Sequence, residues 1–238
     1  MKRFFLKPMP MKYRVLALFL LGPLSVLSQD PKPPAENAFY REDQFYLGLS
    51  YNLLLDLPEG VSQSNLPYGL QAGFIRDIPL NPGGTIALGV GLGYGVNSYY
   101  TNLRALQEED GIRYEVLPAG SEYRRNKVET HIIELPLEFR WRNSTPVDYK
   151  FWRIYGGLKL GYVVGSRSKF VTRDFIDSFY NTDTRNFRYG IQLNVGYNTF
   201  NLHIYYGLND LFEDGVAGPD NAPLGMRPLH LGLMFYIL

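Results

Sequence analysis

The chain of 238 residues contains no cysteine. That removes a disulfide framework, a thiolate nucleophile and any zinc site built on cysteine. Histidine is scarce, with only His131, His203 and His230, which fall in three separate segments with no G-x-S-x-G elbow beside them. Neither a Walker loop nor H-E-x-x-H is present, and the glycines at 89, 91, 93 and 95 miss the G-x-G-x-x-G spacing. We therefore expect no metal, no cofactor, no catalytic set and no enzymatic activity. Past the N-terminus no run approaches about 18 consecutive apolar residues, which excludes a helical membrane protein. An excess of positive charge is missing as well. Removing residues 1–28 takes five of the 24 basic residues and none of the 23 acidic ones, leaving a net charge of −4 and no electrostatic case for nucleic acid.

What is present begins with Lys2, Arg3, Lys7, Lys12 and Arg14 ahead of the apolar run 15–27. Val26-Leu27-Ser28 before Gln29 fits a signal peptidase site; the alternative, an uncleaved anchor, meets a run that is short and broken at Gly22-Pro23. A start at Met1 or at Met11 gives the same mature chain. Residues 1–28 are thus expected to be a signal peptide. Residues 29–44, with Pro31, Pro33 and Pro34, read as a periplasmic N-terminal tail, and residues 45–238 as one domain.

Within that domain the stretch 85–96 is the most informative. Ile86, Leu88, Val90, Leu92, Tyr94 and Val96 fall on one face of an extended strand, while Ala87, Gly89, Gly91, Gly93 and Gly95 fall on the other. A greasy outside and a bare inside suit the wall of a narrow transmembrane barrel. Seven further segments alternate in the same way: 45–55, 68–74, 133–141, 152–167, 187–197, 200–207 and 229–237. The fold class expected is all-β, an eight-stranded antiparallel up-and-down transmembrane β-barrel, whose even strand count closes the sheet.

The connections alternate in length. Those at 56–66, 98–126, 169–184 and 209–225 are long, while those at 79–84, 143–150 and 198–199 are short, which puts both termini in the periplasm of an outer membrane. Aromatic placement agrees. Phe45, Trp141, Trp152, Tyr197, Phe200 and Phe235 lie at the short-turn end, and Tyr94, Tyr162, Tyr189 and Tyr206 toward the long loops, as two girdles at the membrane interfaces. A soluble lipocalin-like barrel, the alternative, would turn its bulky face inward and has no need of such belts.

By parity the interior holds a polar network of Glu134, Glu138, Arg140, Arg153, Lys159, Arg167, Arg188, Gln192, Asn194, His203 and Tyr205. A symmetric turn at 143–150 would set Glu134 opposite Lys159 and Arg140 opposite Arg153; the turn at Asn198-Thr199 would set Asn194 opposite His203 and Gln192 opposite Tyr205. Eight strands enclose a lumen that side chains can fill, so these residues are expected to plug it; a narrow path for ions or small solutes is the alternative. Pro136 cannot donate to a ladder and is expected to mark a bulge or kink.

Outside, only His131 with Glu129 on its face suggests lipid chemistry near the outer leaflet, and the sequence offers no serine beside them. The loop 98–126 carries Glu108, Glu109, Asp110 and Glu115 followed by Glu122, Arg124, Arg125 and Lys127, either a solvated loop or a docking surface. The acidic loop 209–225 lacks a specific cation-ligand spacing.

Four stretches carry a family resemblance: Glu134-Leu135-Pro136-Leu137-Glu138-Phe139; 155–162, which reads Y-G-G-L-K-L-G-Y; Tyr205-Tyr206-Gly207-Leu208-Asn209; and Gly232-Leu233-Met234-Phe235-Tyr236-Ile237-Leu238. With these the chain resembles the outer-membrane β-barrel proteins of Bacteroidota known as porin-family or PorT-like. The resemblance implies insertion into outer-membrane lipid by the barrel-assembly machinery. It also implies an accessory role in protein secretion of type IX kind or in another envelope complex. The functional expectation is a non-enzymatic scaffold or accessory subunit, ahead of a narrow transport pore and a lipid-active enzyme.

Overall fold

The computed structural model describes residues 43–143, 151–197 and 200–237. The expected signal peptide and the lead-in up to residue 42 lie outside the described residues, as do the turn residues 144–150 and 198–199. Alternation of apolar and small or polar residues yields long strands in chain order. They are β1 (Gln44–Leu55), β2 (Tyr68–Pro79), β3 (Ile86–Tyr100), β4 (Leu103–Glu108), β5 (Gly111–Val116), β6 (Arg125–Arg142), β7 (Trp152–Val171), β8 (Ile176–Tyr180), β9 (Phe187–Tyr197), β10 (Phe200–Gly207) and β11 (Arg227–Ile237).

Eight of these close on themselves. The order β6-β3-β2-β1-β11-β10-β9-β7 is completed by the β6–β7 pairing, and every ladder is antiparallel. The barrel therefore has no open edge, as the sequence pattern requires. Gln44, assigned above to the lead-in, is the first residue of β1 and is buried.

The long loops carry more structure than the sequence suggests. β4 and β5 form a hairpin inside the connection 98–126, β8 pairs with the far end of β7, and β3, β6 and β7 each continue two or three residues into the regions read as loops. Leu54, Tyr99, Leu103, Tyr114, Phe212 and Met226 belong to one buried apolar cluster at this end of the barrel. Alternation alone misses it because the cluster residues come from β1, β3, β4, β5 and two of the long connections.

β3 forms the thin wall anticipated from its sequence. Its glycines point inward and its large side chains outward. A Cβ on Gly91 would lie 2.6 Å from Ile75 Cγ1 and 2.7 Å from the Phe74 carbonyl oxygen, and one on Gly93 would meet the Tyr46 hydroxyl. Absence of side chains here is what lets Tyr46, Ile75 and Arg140 occupy the lumen.

The ladder between β3 and β6 skips Leu135 and Pro136, so the proline interrupts pairing on one side. The register shift, however, sits elsewhere: His131 faces Gly165 and Ile132 faces Val163, leaving Val164 as an extra residue of β7.

Candidate functional site

The barrel interior concentrates the polar chemistry. Asp77 of β2 accepts from Arg140 of β6 through Oδ1 and from Arg142 through Oδ2 at 2.5 Å. Arg140 Nε donates to Glu138 Oε2 at 2.9 Å, and the other Glu138 oxygen accepts from Gln192 Nε2 at 2.9 Å and Asn194 Nδ2 at 3.3 Å. Asn194 Oδ1 lies 2.7 Å from His203 Nδ1. Since β2 and β9 stand on opposite sides of the barrel, this chain of contacts spans its diameter. The Arg140 guanidinium also lies 4.3 Å from the Tyr155 ring centroid, and that of Arg153 lies 4.5 Å from the Phe151 ring centroid.

A second layer lies toward the long loops. Lys159 Nζ donates to Gln71 Oε1 at 2.6 Å and pairs with Glu134 Oε2 at 3.3 Å, over the Tyr205 ring. Above it Tyr99 OH meets His230 Nε2 at 2.9 Å, and Arg188 donates to the Leu211 carbonyl at 3.0 Å, tying the lumen to the apolar cluster beyond. Two internal voids beside these layers measure about 20 and 10 Å³, the size of a single water at most.

Of the eleven residues placed inside by parity, ten point inward and are buried; Arg167 does not. The extra residue Val164 reverses the alternation of β7, so that Ser166 and Ser168 turn inward and Arg167 outward into exposure. The pairings expected across 143–150 are corrected too. Pro136 faces Lys159, Glu134 faces Gly161, Arg140 faces Tyr155 and Arg142 faces Arg153, a register two residues removed from the symmetric one. A shift of two keeps every side chain on its face, and the Lys159–Glu134 bridge forms diagonally instead. Across β9 and β10 the pairs Asn194 with His203 and Gln192 with Tyr205 occur as expected. Asp77 escaped the sequence reading because the second segment was ended at Phe74; the same alternation continued three residues further puts it inside.

Outside, the ten girdle aromatics all point away from the lumen. Phe45, Trp152, Tyr162 and Phe200 are among the most exposed, while Tyr206 and Phe235 are half-buried. Near the long loops His131 Nδ1 contacts Tyr94 OH at 2.6 Å, and Glu129 Oε1 is 3.8 Å from His131 Nε2. A serine does stand here: Ser98, directly opposite Glu129 on β3, donates to Glu129 Oε2 at 2.8 Å and accepts from Lys127 Nζ at 3.2 Å. Lys127 also pairs with Glu129. The fully buried Ser98 hydroxyl faces the carboxylate and the ammonium rather than the imidazole, so these residues assemble no serine–histidine relay.

In the loops the acidic residues of the hairpin are engaged. Glu108 pairs with Arg113 at 2.5 Å and Glu115 with Arg104 at 3.4 Å. Tyr114 OH donates to Asp183 Oδ2 at 3.1 Å and to Asn181 Oδ1 at 3.3 Å. Burial pushes the Tyr114 phenol well above its usual range, aided by the Asp183 charge and opposed by the Asn181 hydrogen bond. Among the described residues no group of three metal-ligating side chains occurs.

A closed antiparallel barrel with a bulky apolar exterior and an ionic interior defines the class of transmembrane barrels. A family model described as "Outer membrane protein beta-barrel domain" matches residues 28–213, and the chain belongs to that family, which places it in the outer membrane. Among solved structures it is similar to a chain described as "Asymmetric conductivity of engineered proteins", at 10% identity over 83% of this chain and 100% of that one, with a TM-score of 0.21. A mutant of the Rh. blastica porin is similar at 11% identity over 83% of this chain and 99% of that one, with a TM-score of 0.18. Comparison with curated proteins returned no match.

Proposed function

We propose that the protein is a non-conducting, non-enzymatic barrel that serves as a scaffold or accessory subunit of an envelope or protein-secretion complex. The observation that carries this reading is the buried contact chain from Asp77 through Arg140 and Glu138 to Gln192, which crosses the lumen from β2 to β9 and supports a closed barrel. A barrel that carries no solutes and assembles no nucleophile has its loops and rim left to act through. The likeness of its strand motifs to PorT-like barrels of Bacteroidota supports a place beside the type IX secretion apparatus. In this reading the short turns and both termini are periplasmic, the structured long loops lie outside, and the two aromatic rows sit at the membrane interfaces.

Affinity purification of the tagged full chain from native membranes tests it. A stoichiometric envelope or secretion partner is the expected result, and recovery of the barrel alone would overturn the subunit assignment. Liposome swelling with sugars of graded size tests the closed lumen, where measurable swelling would favour the narrow pore instead.

A further inference from the structure

The bulge at Val164 has a consequence on the outer surface. By turning β7 over, it directs Arg167 and Lys169 outward, opposite Glu129 and Lys127 of β6. Glu129 is already held by Lys127 and Ser98, and among the described residues no carboxylate pairs with Arg167 or Lys169. Their height follows from the strands. Trp141 and His131 are ten residues apart on β6, which at ~3.3 Å per residue and a tilt near 40° is about 25 Å, the height of the apolar band of an outer-membrane barrel. Arg167 and Lys169 lie one and two outward positions beyond His131's level, where lipid headgroups begin.

Beside this ledge the apolar face is dented. Ala72, exposed between Leu47 of β1 and Tyr94 of β3, floors an almost purely apolar groove of about 480 Å³ walled by Leu49, Leu70 and Val96. Tyr94 belongs to both features, lining the groove with its ring while its hydroxyl contacts His131. Two unpaired cations match the roughly −1.5 to −2 charge of a phosphomonoester near pH 7, and Arg is suited to grip it through paired N–H donors.

We propose that this face binds one lipid bearing a phosphomonoester, its phosphate held by Arg167 and Lys169 and an acyl chain lying in the groove over Ala72. The proposal goes beyond the scaffold reading and shares with it only the outward placement of the long loops. Nanodiscs carrying the lipid in both leaflets remove even that dependence, so failure here and failure of the scaffold reading are separate results.

The test uses the full chain in phosphatidylcholine nanodiscs doped with lipid A, with retained lipid read by native mass spectrometry. Lipid A should be retained by the wild type, and the R167Q/K169Q variant should lose about tenfold or more of it. Arg76→Gln, which removes an exposed cation at the opposite end of the barrel, should change nothing. Dephosphorylated lipid A or phosphatidylglycerol retained as well as lipid A would overturn the phosphate recognition, and so would equal losses in the Arg76 and Arg167/Lys169 variants. Ala72→Trp should reduce retention by filling the groove; unchanged retention in that variant would overturn the acyl-chain site. Arg167 and Lys169 lie outside the lumen network, and unheated gel mobility verifies that each variant is folded.

Discussion

Asp77 on β2 and Arg140 on β6 meet inside the barrel as an ion pair with no measurable solvent exposure of either side chain, and Arg142 takes the second Asp77 oxygen. One carboxylate thus bridges two buried guanidinium groups from the strand two places away in the sheet, and Arg140 has Glu138 as a further partner. Removing it would break a buried ion pair to each cation in a low-dielectric interior, a change that costs about 3–5 kcal/mol for a broken buried pair. Asp77→Ala should accordingly lower the unfolding free energy read from urea titration in lipid vesicles by about that amount, and Asp77→Ala combined with Arg140→Met should recover part of the loss. A single variant as stable as wild type would show that water or another group reaches the guanidinium groups.

The glycine wall gives a second expectation. A side chain at Gly91 would run into Ile75, the Phe74 carbonyl and Pro136 at once, two of which cannot rotate away. Gly91→Trp should therefore fail to reach the heat-modifiable folded form in the outer membrane. Normal assembly of that variant would mean a roomier lumen than the packed contacts imply.

A third concerns Val164. Deleting it removes the extra residue, so that Gly165, Ser166 and Arg167 follow Val163 in unbroken alternation and Arg167 stays outward opposite Glu129. The barrel should therefore still assemble without Val164, and Arg167→Ala, an exposed substitution, should stay within about 0.5 kcal/mol of wild type. Loss of the heat-modifiable folded form on the deletion, or a much larger cost of Arg167→Ala in urea unfolding, would contradict the bulge and the outward placement.

Tyr114 supplies a fourth. Its hydroxyl joins the β4–β5 hairpin to Asn181 and Asp183 of the next long connection. Tyr114→Phe keeps the ring against Phe212 and loses only the hydrogen bonds, about 1 kcal/mol. Hydrogen exchange of β4 and β5 should rise by about fivefold with the transmembrane strands unchanged.

The fifth addresses chemistry. Because Ser98 faces Glu129 and Lys127 rather than His131, His131→Ala and Ser98→Ala should each leave the lipid A mass spectrum of the host unchanged. A product lost in either variant would reinstate a lipid-active enzyme.

These cases also show what a period of two can and cannot reveal. Strict alternation located all eight barrel strands and turned Glu138, Arg140 and His203 inward correctly, because a shift of one residue would expose them to lipid. It misplaced Arg167, since one additional residue in β7 is invisible in a run, V-V-G-S, whose small and apolar members suit either face. Asp77 lies beyond the alternating segment 68–74, and only its partners Arg140 and Arg142 on β6 explain a buried acid there. Ser98 and Glu129 were likewise beyond reach: they are 31 positions apart in sequence and meet only through the β3–β6 register. The loop cluster around Phe212 depends on contacts between connections and has no repeating signature at all.

The bare inner face of β3 also dictates how this barrel could be remade. Since the glycines at 89, 91, 93 and 95 contribute no side chains to the blockage, nothing can be trimmed from that stretch; the filling beside it is rooted on the neighbours and reaches over to it. Shortening Tyr46, Ile75 and Arg140 together would hollow out a slot alongside β3, and the resulting conduit would be floored by exposed peptide groups on one side and by titratable residues on the other. An engineer seeking a rectifying nanopore would find that lopsided lining already encoded, hidden beneath three side chains.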